Sequence, residues 1–135
     1  MKRLMSAFVF VAAFAVISRA QDTNAPAAAA PAAEGEFKIS GDPAKGAEIY
    51  KLYCVACHGA TGKGDGIAAV ALNPKPADHS NKEVMSKLSD KEIYTAIKDG
   101  GAAVGKSPMM TPWGPVLKED QKIHDVAAYV RTLAQ

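Results

Sequence analysis

The sequence predicts an all-α domain of three to four helices, with long loops wrapped around a group that is not protein. Three observations carry this expectation. Apolar residues recur at helical spacing in segments near 43–55, 89–101 and 118–134, and no stretch sustains the alternation of a strand. Two connections, 59–82 and 102–117, are rich in glycine and proline and too long for a compact domain to order with its own core. Three helices also make a thin core, which leaves the middle of the domain to be filled by something else.

The first helix is expected from Pro43 to Val55. Asp42 supplies a side-chain cap, Pro43 is tolerated at the first helical position, and Ala47, Tyr50 and Cys54 share a face that Ile49 and Tyr53 widen. The second runs through "SDKEIYTAIKDGG": Ser89 caps it, Glu92 completes a capping box, Ile93 and Ile97 share a face with Tyr94, and Gly100-Gly101 stops it. The last helix lies in "KEDQKIHDVAAYVRTLA". It opens on acids, ends near Arg131, and turns Ile123, Val126, Tyr129, Val130 and Leu133 inward. A short helix over Lys82–Leu88 is the optional fourth.

Upstream of this domain, residues 1–20 read as an export signal. Lys2 and Arg3 precede an uncharged run from Leu4 to Ile17, and Ser18-Arg19-Ala20 offers a cleavage site. That run falls short of the ~20 residues of a spanning helix. Residues 21–36, dominated by alanine and proline, have no apolar face to bury and read as a linker. Residues 37–135 then form a single domain. The 16 basic and 14 acidic residues become 13 and 14 once Lys2, Arg3 and Arg19 leave, a net charge of −1. With no basic patch interleaved with aromatics, nucleic-acid binding is excluded.

The chemistry concentrates in "CVACH", residues 54–58. A redox dithiol belongs at the start of a helix after a strand, within a βαβ pattern that this chain lacks. Structural zinc needs four ligands, so the two cysteines and His58 would have to recruit His79 or His124 at an unusual spacing. A disulfide would leave the histidine and the long loops unexplained. Covalent haem accounts for all of them: Cys54 and Cys57 lie on one face of a helix end, positioned to form thioethers with two vinyl groups, and His58 follows as an iron ligand. Five residues are candidates for the opposite axial position: Met85, Met109, Met110, His79 and His124. Met85 reads as a core residue, His79 as a solvated loop histidine and His124 as exposed on the last helix. Met109 and Met110 share a loop from which a thioether can reach the iron.

At these residues the chain resembles the class I cytochrome c family, in particular its small exported bacterial members. "GDPAKGAEIYKLYCVACHGATGKGDG" is similar to the family's first helix, haem motif and glycine loop. "MTPWGPVLKEDQKIHDVAAYVRTL" is similar to its methionine loop and last helix. The resemblance spans about residues 40–134 and implies a cytochrome c-like fold around one haem c. It implies thioethers at Cys54 and Cys57 and His58 as the proximal ligand. The family's Met-x-x-aromatic-Gly pattern falls on Met110, Trp113 and Gly114, favouring Met110 as the sixth ligand, with Met109 the alternative. Gly46 and Tyr50 would meet Tyr129 where the first and last helices cross. A prolyl carbonyl, from Pro74 or Pro76, would accept the His58 Nδ1–H, and Trp113, Pro74 and Pro76 would line the haem pocket.

The function implied is that of a periplasmic one-electron carrier, not an enzyme. It would meet redox donors and acceptors in transient complexes, act as a monomer, and touch a membrane only if the signal were retained as an anchor. Lys63, Lys75 and Lys106 are candidates for a docking face, although scattered lysines are ordinarily solvated surface. Two other roles use the same chemistry. One is an electron-relay subunit of a larger oxidase or dehydrogenase. The other is a peroxidase or gas-binding domain with a labile sixth ligand.

Overall fold

The computed structural model describes residues 36–134. The export signal expected at 1–20, and the linker expected at 21–36 apart from Glu36, lie outside the described residues.

Helix α1 (Pro43–Tyr53) starts as its sequence dictates, with the Asp42 carboxylate accepting from the Ala44 amide at 2.9 Å and Pro43 in the first turn. It ends two residues earlier than expected. Cys54 stays in the right-handed helical region with a widened φ of −110°, its amide still donating to the Tyr50 carbonyl at 2.9 Å, and the short helix α2 (Val55–His58) follows at once. The motif therefore sits on a jog in the chain rather than on an unbroken helix end. A 3-10 turn (Ile67–Ala71) interrupts the following loop. The optional fourth helix is present as α3 (Lys82–Ser86), capped by Asn81.

Helix α4 (Asp90–Asp99) has the expected capping box. The Glu92 amide donates to Ser89 Oγ at 3.2 Å and the Ser89 amide to Glu92 Oε2 at 2.8 Å. After a second 3-10 turn (Gly101–Val104) and the methionine loop come two further helices: α5 (Gly114–Leu117), unforeseen from the sequence, and α6 (Asp120–Thr132). The described residues thus hold six helices and no strand, where three to four helices were expected. The additions, α2 and α5, are of four residues each, too short to show a helical period in the sequence.

The core forms where α1 crosses α6. At Gly46 a side chain would force the backbones apart, because a Cβ there would lie 2.0 Å from the Asp125 carbonyl oxygen. With the backbones this close, the Tyr50 and Tyr129 rings meet edge to face, 5.1 Å apart at 62°. Asp125 is buried yet satisfied: its Oδ1 accepts from the Asp42 amide at 2.7 Å and from Gln121 Nε2 at 3.0 Å, tying the start of α1 to α6. From the far end of α6, Arg131 holds α3 to α4. Its guanidinium donates to the Met85 and Leu88 carbonyls at 2.8 and 2.6 Å and to Asp90 Oδ1 at 2.9 Å. The second Asp90 oxygen accepts from the Ile39 amide at 3.0 Å. Packed within this frame, Ile123, Val126, Ala127 and Val130 of α6 are almost wholly buried, together with Met85.

Candidate cofactor site

Between these helices lies a cavity of about 370 Å³ with a mostly apolar lining. One wall is the motif itself. Cys54 and Cys57 line it without forming a disulfide, and His58 is buried beside them. The jog is closed by the Cys57 and His58 amides, which both donate to the Cys54 carbonyl, at 3.2 and 2.9 Å. Tyr50 holds the next turn by donating its phenol to the Gly59 carbonyl at 3.1 Å.

Burial pushes the Cys54 thiol up to about 12, and the neighbouring Cys57 adds to the shift. A dithiol that exchanges disulfides needs the opposite, a thiolate stabilised at neutral pH. Among the described residues no group of three or more histidine, cysteine and acidic side chains is placed to hold a metal ion, so the zinc arrangement is not assembled either.

Burial also lowers the proton affinity of His58, against the pull of the Ala77 carbonyl. The imidazole is therefore neutral at neutral pH. Its Nδ1 faces the Ala77 oxygen at 3.4 Å, and in the tautomer that donates there Nε2 keeps its lone pair. This corrects the expected acceptor: the carbonyl is that of Ala77, not of Pro74 or Pro76, although both prolines line the cavity. The reason lies in how the loop folds back. Gly64 donates to the His58 carbonyl at 2.8 Å and His79 to the Gly62 carbonyl at 2.6 Å, which brings residue 77 opposite the ring.

Two other histidines are not where a polar sequence context suggested. His79 lines the cavity and is half-buried rather than fully solvated. Its ring stacks on His58 with centroids 4.3 Å apart and planes 18° apart, and its Nδ1 is buried without a hydrogen-bond partner. Burial, then the neighbouring His58, drives its proton affinity down to about 3. His124, expected to be exposed, keeps only 14% of its side chain accessible. It stacks under Phe37 (5.6 Å) against Tyr94 (4.8 Å) and accepts from the Ser40 amide through Nδ1, outside the cavity lining. No local pattern foretells that burial, because Phe37 reaches it from a segment with no periodicity.

The methionine loop supplies another part of the cavity lining. The Gly101 amide donates to the Met110 carbonyl at 2.9 Å, and a Cβ on Gly101 would sit 2.2 Å from the Ser107 carbonyl, so only glycine lets the loop fold this tightly. Met109 and Met110 both line the cavity; Met110 is half-buried and Met109 is 60% exposed. Met85 is a core residue, 2% exposed, that also reaches the cavity wall. Trp113 lines it too, half-buried, with its ring 5.2 Å from that of Tyr53. Of the three lysines, Lys75 and Lys106 border the cavity and Lys63 does not.

A family model described as cytochrome c matches residues 43–134. No curated protein matches the chain. Among solved structures, a chain of the Kuenenia stuttgartiensis reducing HAO-like protein complex Kustc0457/Kustc0458 is similar with a TM-score of 0.55 and 23% identity. That similarity covers 73% of this chain and 46% of the other, so the chain spans less than half the length of that protein. The KustC0563 c-type cytochrome is similar with a TM-score of 0.54 and 23% identity, over 67% of this chain and 98% of the other. At such identities the likeness is one of fold.

Proposed function

Given that the chain belongs to the cytochrome c family and so carries a covalently bound haem c, we propose that it is an exported one-electron carrier with His58 and Met110 as axial ligands. The residues fit the group. Two thiols, an adjacent neutral imidazole and the methionine side chains all line one mostly apolar cavity. When bound, the haem supplies a one-electron couple at its iron.

The chain's own residues do the rest. Cys54 and Cys57 provide the sulfurs for covalent attachment, and His58 presents Nε2 while its Nδ1 side is held toward Ala77. Met110 offers a soft donor, which favours the ferrous state and raises the potential. The apolar lining, with Trp113 and the two prolines, would exclude water from around the bound haem. His58 and Met110 would together hold the iron, which would leave no position on it for a substrate.

The observation that carries this reading is that donors from segments some fifty residues apart line a single cavity. Met110 is favoured over Met109 by its burial and by the hydrogen bonds that fix its backbone. Optical spectra of Met109→Ala and Met110→Ala provide the test. Met110→Ala is expected to lose the weak charge-transfer band that a methionine sulfur gives ferric haem, and to fall in reduction potential. Met109→Ala keeps both. If the band survives in both variants, the methionine assignment is wrong.

Export to the periplasm, transient redox partners and a monomeric state belong to the same proposal. No helix among the described residues is long and apolar enough to cross a membrane. A second reading, a relay subunit held in a larger assembly, draws support from the likeness to a chain that is itself part of a complex. Native mass measurement of protein purified from its source separates the two.

A further inference from the structure

We propose that His79 is a positioning residue: by stacking on His58 it fixes the plane of that imidazole at the metal. The inference rests on the reading of His58 as an axial ligand.

The Ala77 carbonyl alone is a loose restraint. At 3.4 Å it is longer than an ordinary N–H···O hydrogen bond, and a single contact at the ring edge leaves the imidazole free to tilt about it. The face of the ring is held by His79, with 4.3 Å between centroids and 18° between planes. His79 is itself held by its backbone, whose amide donates to the Gly62 carbonyl at 2.6 Å. Edge and face contacts together define one ring orientation. Groups that set the orientation of a metal-bound imidazole commonly lie just outside the ligand shell.

The burial of His79 is otherwise without explanation. Its Nδ1 lies buried with no hydrogen-bond partner, so polar pairing at that atom is not what holds the ring. Nor can His79 stand as the trans ligand in this position. Two face-stacked rings leave no space for a porphyrin between them, and both lie on the same wall of the cavity.

The orientation of an axial imidazole relative to the porphyrin governs how unpaired spin spreads over the macrocycle. The test therefore compares ferric haem-methyl proton shifts, and the ferric electron paramagnetic resonance g values, in wild type, His79→Phe and His79→Leu, each as holoprotein. Phenylalanine keeps a flat ring, whereas leucine fills the space without one. The expected result is a wild-type methyl pattern and g values in His79→Phe, and a reordered or compressed pattern with shifted g values in His79→Leu. A wild-type pattern in His79→Leu overturns the proposal, because filling volume is then enough. A changed pattern in His79→Phe also overturns it, because the imidazole nitrogens, not the flat face, then matter. If the wild-type protein itself lacks a low-spin ferric signal, the ligand assignment fails first and takes this inference with it.

Discussion

Asp90 carries more of the structure than its place in a helix's first turn suggests. It accepts from the Ile39 amide and from Arg131, and so joins the segment ahead of α1 to α4 and α6. Burial pushes its carboxyl up, but the Ile39 amide and Arg131 outweigh burial and hold it below the ordinary 3.8. A carboxyl lowered on folding stabilises the protein fully above its unfolded value and loses that contribution as pH falls through its folded value. Asp90→Asn is expected to cost about 1–3 kcal/mol near neutral pH. In urea titrations the gap between variant and wild type should narrow below about pH 4; a gap independent of pH would mean that charge plays no part. Neither Arg131 nor Asp90 stood out in the sequence, since an acid early and a base late in a helix are ordinary responses to the helix dipole. Their pairing across 41 residues is a tertiary fact.

At the level of elements, whatever rests on local chemistry was legible. The start of α1, both ends of α4 and the inward face of α6 follow from caps, glycine stops and apolar period, all of which act over a few residues. Ser89→Ala removes the reciprocal cap of α4 and should lower stability by ~0.5–2 kcal/mol in chemical denaturation. No change at all would mean the cap is redundant with packing. Less legible were the features that depend on which segments meet. The jog at Cys54 and helix α5 are too short for a period to register. The Ala77 carbonyl occupies the place expected of a proline because the loop folds back through Gly64 and His79. His79 and His124 looked solvated from their polar neighbours, yet His58 covers one and Phe37 with Tyr94 covers the other. Burial of a loop histidine is decided by its partners, not by its flanks.

Across the whole molecule, the crossing of α1 and α6 sets how closely the rest can pack. Gly46→Ala would drive a methyl group into the Asp125 carbonyl, which α6 cannot move without disturbing Tyr129 and the Asp42 contact. The expected loss is about 1–3 kcal/mol, seen as a lower denaturant midpoint with an unchanged slope. An unaltered midpoint would show that the helices can part freely. The same crossing has a consequence in time. Gly46 and Asp125 are brought together from near opposite ends of the domain, so this contact closes a long loop, a topology that slows folding. The 13 residues of α6 supply Val130, which lines the cavity, and the ridge on which α1 rests. The wall that faces Cys54 and Cys57 is therefore completed only by the far end of the chain, and the room for a rigid planar guest exists in full only once both ends have met.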